Sequence, residues 1–391
     1  MLSNHQRRTF SLVGSRQVTV LILILIISGG CRQPGTSSDP QPTNPSSEAS
    51  EEEFSSDLTL DEVTLEQANE AGELIWKINS KQVRYSPDQK VAKIVKPEGE
   101  MFQDGKLIYR MKAESGEIHQ DSKRIFLKDN ITATDLRNGI VLKGKELEWL
   151  IDQEILVVRQ GVTGDHQQAQ AIATEAQVFT RDKRVEFWNQ VVVTSKDPVV
   201  QMRTDHVIWN LEPETLISDR KITLDRYQDQ TITDRGVAET AELNLKTSIA
   251  TLNQKAQLAL SEPPLQIGSD EISWNYQQQT LSSPKPTTII HRDEKVTLTA
   301  NQAQGDLNAP TFTLRGNVVS VGEKRQSQLN TDELIWFVNR QQFQARGNVI
   351  YRQLDPPFTL TGSQAVGELK DETISVSSGQ TGDRVVTEFV P

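Results

Sequence analysis

The chain of 391 residues is long enough for two domains, yet at 36% hydrophobic it is too poor in apolar residues for a deep α/β core and suits thin β-structure with one buried face. Its 42 Lys and Arg against 53 Asp and Glu give a formal charge of -11, and setting aside the first 30 residues, which hold three arginines and no acid, leaves -14. Such an acidic chain is a poor match for a phosphate backbone, so no nucleic-acid partner is expected.

Residues 1–30 read as a signal peptide. Arg7, Arg8 and Arg16 precede the apolar run Val18 to Ile27, which suits a signal-peptide core but is shorter than the roughly 20 residues needed to span a bilayer. The single cysteine, Cys31, follows Ser28-Gly29-Gly30. The stretch Ile26 to Cys31 looks like a bacterial lipobox, which implies lipidation of Cys31; the alternative is an uncleaved anchor with an incidental cysteine. Both readings export the chain and hold it at a membrane, and no second cysteine exists for a disulfide. Residues 31–72 are expected to be a disordered tether, rich at first in Pro, Ser, Thr, Asp and Glu, with 58–72 open between a short helix and a first strand.

From Trp76 onward apolar and polar residues alternate in strand fashion, with turn signals at Ser86-Pro87-Asp88 and Asp104-Gly105. One module then recurs about every 31 residues. Its anchor position is filled by Ile118, Trp149, Phe179, Trp209, Leu245, Trp274, Gly305, Trp336 and Gly367. Thirteen residues on, a second position holds Ile131, Val162, Val192, Ile222, Leu258, Thr287, Val318, Val349 and Gln380. Tryptophan returns in every second module, so the module is paired, as expected of stacked units that bury a core only as neighbours. The spacing stretches across Arg226 to Gln230, which predicts a division into 73–226 and 227–391.

Catalytic constellations are missing from the pattern. His5, His119, His166, His206 and His291 are scattered, and neither a phosphate-binding loop nor a nucleophile elbow is present, so no metal, no cofactor and no enzyme activity are expected. The pairs Asp270-Glu271 and Asp332-Glu333 occupy one module position, where neighbours point to opposite strand faces, and read as solvated strand starts rather than a carboxylate dyad. The regular tryptophans read as a core or groove wall, with an exposed carbohydrate-stacking platform as the alternative.

The step Arg315-Gly316-Asn317-Val318, repeated as Arg346-Gly347-Asn348-Val349 and in degenerate form at Asp129-Asn130-Ile131 and Gln160-Gly161-Val162, resembles the repeat of the OstA-like β-jellyroll proteins of lipopolysaccharide transport. The opening from Trp76 to Ala133, with Tyr85, Pro97, Gly105, Ala113 and Gly116, is similar to the start of an LptC domain. The resemblance covers 73–391 and departs from the family in its lipobox and in its double length. It implies an all-β fold of antiparallel modules forming two tandem OstA-like jellyrolls, each a V-shaped two-sheet trough; a parallel β-helix is the alternative. It further implies a membrane-anchored periplasmic component of lipopolysaccharide export, held most naturally at the inner membrane. The expected partners are lipopolysaccharide or a similar envelope lipid, the inner-membrane ABC transporter, and a periplasmic bridge protein of the LptA type joined by edge-strand pairing. Trp149, Trp209, Trp274 and Trp336, with Phe187, Phe312 and Phe343 from paired strands, are the expected trough lining. The alternative from another class is an exported structural or polysaccharide-binding β-solenoid.

Overall fold

The computed structural model describes residues 58–368 apart from 122 and 325, together with 373–377 and 386–389. The leader, Cys31 and most of the expected tether therefore lie outside the described residues. Alternation of apolar and polar residues produces strands almost everywhere. β1 (Thr59–Ala68) and β2 (Leu74–Tyr85) cross the full width of the structure, followed by two passes broken midway, β3 (Val91–Val95) with β4 (Glu98–Gln103) and β5 (Lys106–Lys112) with β6 (Ser115–His119). Six unbroken passes come next: β7 (Arg124–Asp135), β8 (Val141–Leu150), β9 (Ile155–Asp165), β10 (Ala169–Phe179), β11 (Arg184–Ser195) and β12 (Val200–Asn210). Broken passes return as β13 (Thr215–Ser218) with β14 (Ile222–Gln228) and β15 (Thr231–Ala238) with β16 (Thr240–Asn244). After whole strands β17 (Ile249–Leu260) and β18 (Leu265–Asn275), the passes β19 (Thr280–Ser283) with β20 (Thr287–His291) and β21 (Val296–Ala300) with β22 (Gln302–Asp306) are again broken. β23 (Thr311–Gly322), β24 (Ser327–Phe337), β25 (Gln342–Leu354) and β26 (Pro357–Glu368) are whole, and β27 (Thr373–Ser377) and β28 (Val386–Phe389) pair with opposite halves of β26.

Seven passes are thus split in two, so the 28 strands make 21 passes of one up-and-down meander. Each described ladder is antiparallel, which rules out parallel β-helix coils and bears out the antiparallel all-β expectation. One 31-residue module is two passes, an up strand and a down strand.

The expected tether needs a correction. Residues 59–68 form β1, paired along its length with β2, because Leu60, Val63 and Leu65 reach the core while the residues between them face water. The expected boundary between 226 and 227 falls within β14, whose neighbours β12 and β15 continue the ladder on both sides.

The Gly-Asn step lies in mid-strand. Two successive residues with positive φ interrupt six alternate unbroken passes, β7, β9, β11, β17, β23 and β25: Asp129-Asn130, Gln160-Gly161, Asn189-Gln190, Gln254-Lys255, Gly316-Asn317 and Gly347-Asn348. The ladder slips at each, as between Arg346 and Val349, and the strand bends. Glycine suits Gly347 for two reasons: φ is +80°, and a Cβ there would strike the Asp332 side chain. Lined up across the meander, these bulges and the broken passes crease the sheet into two leaves. His166 and Trp209 lie at opposite ends of a pass, roughly 30 Å apart were the sheet flat, yet their rings are 5.6 Å apart. His291 and Trp336, with the same placement, are 5.7 Å apart. The leaves therefore face each other, and the apolar core between them runs unbroken from Trp76 to Ala365.

Candidate functional site: the groove between the leaves

Trp149, Trp209, Trp274 and Trp336 are each the next-to-last residue of β8, β12, β18 and β24, so they stand in one row along one leaf and point inward. Trp149 sits between its cross-strand neighbours Ile125 and Leu156, Trp209 between Val185 and Leu216, and Trp274 between Ala250 and Leu281. All three are 2% exposed or less, and Phe187 and Phe312 are fully enclosed. These residues line the interior by filling it. The alternation of anchors has a steric cause. Gly305 and Gly367 are the cross-strand partners of Phe312 and Phe343, whose rings occupy the space a Cβ would need.

Phe179 departs from the expected row. It faces outward under the Arg184 guanidinium, 4.2 Å from the ring centroid, while Val178 and Thr180 point in. The same one-residue slip places Val191 and Val193, not Val192, in the core. The pairs Asp270-Glu271 and Asp332-Glu333 lie in mid-strand at the crease rather than at strand starts. There Asp332 accepts a hydrogen bond from Asn348 (2.8 Å), and Glu333 pairs with Arg315 (2.8 Å).

Toward the carboxy-terminal passes the filling becomes incomplete. A cavity of about 120 Å³ opens between the leaves, walled by Val296, Leu298, Leu329 and Tyr351 on one side and by Leu334, Trp336, Phe343 and Ile374 on the other. Phe343, Tyr351 and Ile374 are only half-buried there. Glu294, Lys324 and Glu368 stand at its rim.

Opposite the crease, where the leaf edges meet, polar side chains clasp the mouth at three places. Near the amino-terminal end Gln103 donates to Glu154 (2.9 Å) and Arg137 Nη1 to the Thr180 carbonyl (2.7 Å). Arg137 is itself gripped by Asp135, with Nε donating to Oδ1 at 2.9 Å and Nη2 to Oδ2 at 2.6 Å. Hydrogen bonds from Arg181 hold the Glu154 carboxyl below its usual range. Farther along, Gln168 donates to Glu214 (2.7 Å) and Gln341 to Glu294 (3.0 Å). None of these residues stood out in the sequence, where each reads only as a polar turn residue.

His166 and His291 sit inside this mouth. Burial pushes both imidazoles down from their ordinary range, against the opposing pull of Glu214 on His166 and of Glu294 and Asp293 on His291. The folded state therefore resists protonation. Stability from these groups is complete above the unfolded histidine value of about 6.5 and falls as pH drops through the window below it. The melting temperature should fall between pH 7.5 and 5.5, and the double variant His166→Gln, His291→Gln should flatten that slope. A wild-type melting temperature that rises on acidification over this range would contradict the assignment. His119 and His206 lie elsewhere, His206 stacked on Trp188 at 3.7 Å on the outer face. No cluster of three or more metal-binding side chains occurs among the described residues.

A long antiparallel meander creased into two leaves, apolar inside and polar along its mouth, is an all-β, jellyroll-like trough. Over residues 19–165, a little over a third of the chain, the sequence matches the family described as Lipopolysaccharide-assembly, LptC-related. That match agrees with the resemblance read from the repeats and supports a role in lipopolysaccharide transport. It ends at the last residue of β9, and the passes beyond repeat the same geometry. No curated protein matches the chain. Among the described residues no helix is long and apolar enough to cross a membrane.

Proposed function

We propose that this protein is a membrane-anchored periplasmic component of lipopolysaccharide export, receiving lipid that leaves the inner-membrane ABC transporter and passing it to a bridge protein of the LptA type. Acyl chains are shielded between the leaves while the head group stays in water. The observation that carries this reading is the apolar cavity bounded by Trp336 and Phe343. Its volume approaches that of the dry apolar cavities of about 150 Å³ that bind benzene, so it can seat a segment of an acyl chain. Among the described residues β1, at one end, pairs on one side only, with β2, and that edge can offer backbone groups to a partner strand. Anchoring runs through acylated Cys31 and the tether, and the packed passes between set the open carboxy-terminal end apart from the anchor. The work is carriage rather than catalysis.

A photo-crosslinking residue at Phe343, which lines the cavity, should capture lipopolysaccharide or a comparable envelope lipid in cells. One at Arg340, in the adjoining turn, should not. Equal labelling at both, or none at either in a transport-active strain, would favour the second reading. That reading, an exported polysaccharide-binding protein, is favoured by a recess of about 240 Å³ lined by polar side chains including Ser273, Ser282, Gln304, Thr313, Glu271 and Arg315.

A further inference from the structure

The cavity near the carboxy-terminal end is graded in polarity from its mouth inward. Its rim carries the charged side chains of Glu294, Lys324 and Glu368. Just inside stand Ser327 and Trp336, which lie at opposite ends of β24 and so face each other near the two leaf edges. Deeper, toward the crease, the walls are Leu298 and Leu329 on one leaf, with Ser320 between them, and Leu334 on the other. Charge, hydrogen-bonding groups and hydrocarbon thus follow one another with depth. An acylated lipid has the same order along its length: head group, acyl carbonyl, chain.

A second observation falls at the middle level. The Trp336 indole is 3% exposed, and its Nε1 has no hydrogen-bond partner among the described residues. An indole N–H can only donate, and a buried one that finds no acceptor is costly. At the other end of the molecule Trp76 is satisfied, donating to Gln67 Oε1 at 2.7 Å. Trp149 and Trp274 also go without an acceptor, but they are enclosed in the packed passes, whereas Trp336 borders open volume that a guest can enter. What the indole lacks is an acceptor oxygen, and a plain hydrocarbon chain supplies none.

We infer that the cavity seats the carbonyl end of an acyl chain, with Trp336 Nε1–H donating to the carbonyl oxygen, and that it therefore favours acyl lipids over their alkyl-ether counterparts. The inference rests on the lipid-carrier reading above and specifies the substrate class of that same cavity. Trp336 is its specificity-determining residue: the ring forms apolar wall for any chain, and the N–H distinguishes a chain that begins with a carbonyl from one that does not.

The test uses the folded protein and two uncharged single-chain probes, 1-decanoylglycerol and 1-O-decylglycerol, which differ only in the carbonyl. Titration calorimetry below the micellar range should show the ester binding about fivefold more tightly, the size of one added neutral hydrogen bond. Trp336→Phe keeps an aromatic wall and removes the donor, so it should bring the ester down to the affinity of the ether and leave the ether unchanged. In the unaltered protein the indole N–H proton resonance of Trp336 should move downfield with the ester and stay in place with the ether, a readout that needs no variant. Equal affinities for wild type, an ester preference that survives Trp336→Phe, or an indole resonance indifferent to the ester would overturn the inference and leave the carrier reading intact. Failure of both probes to bind would overturn the carrier reading and the inference with it.

Discussion

Trp274→Asp should abolish cooperative folding, while Phe343→Asp should fold and lose lipid capture. Trp274 is fully enclosed between Ala250 and Leu281, and nothing in its surroundings can solvate a carboxylate. Removing the indole alone costs about 3–5 kcal/mol, and burying an unpaired charge in its place costs several more. Against a total stability of about 5–15 kcal/mol, that is enough to unfold the passes around β18. Phe343 differs because it is half-buried and lines the cavity, so an aspartate there can reach water. Circular dichroism melts of the two purified variants separate the cases. A soluble Trp274→Asp protein melting like wild type would mean that this part of the interior is hydrated rather than packed.

Arg137→Ala should be nearly as damaging, though the residue lies at the mouth. Asp135 is fully buried, and its two carboxylate oxygens are held by the Arg137 guanidinium, which also reaches the Thr180 carbonyl on the opposite leaf. Truncating the arginine strands a buried charge and frees the leaf edges from one another, a loss of about 3 kcal/mol. Combining Arg137→Ala with Asp135→Asn should restore part of that loss, because the orphaned charge goes with the aspartate. If the double variant is no more stable than Arg137→Ala in chemical denaturation, the damage comes from the lost contact to Thr180 rather than from the stranded charge.

Much of the fold could be read along the chain. Hairpins at Ser86-Pro87-Asp88, at Asp104-Gly105 and at Asn339 to Gln342 fall where turn residues interrupt the alternation, and the tryptophans recur on one strand face because each stands at the same place before a hairpin. The crease could not be read so directly. Gly316-Asn317 and Gly347-Asn348 advertise positive φ, but Gln254-Lys255 and Asn189-Gln190 adopt it without glycine, so the row of bulges shows only when the strands are laid side by side. The clasps were equally hidden, since Gln168 and Glu214 meet because of the angle at which the leaves close. Phe179 was misplaced for a simpler reason: along the ladder the counterpart of Trp149 is its neighbour Val178, and a shift of a single residue exchanges the faces of a strand.

The position of the cavity fixes how far its guest must travel. Counting passes from β1 to the one formed by β21 and β22 gives fifteen steps of about 4.8 Å, so the opening lies roughly 70 Å along the axis from the amino-terminal edge. One leaflet of a bilayer holds acyl chains only about 15 Å deep, half the thickness of its hydrocarbon core. On the proposed amino-terminal anchoring, a lipid still seated in that membrane is therefore several chain lengths short of Phe343. The carboxy-terminal opening is then a delivery station, filled after the lipid has left the bilayer, and the tryptophan-packed passes serve mainly to hold it at a distance.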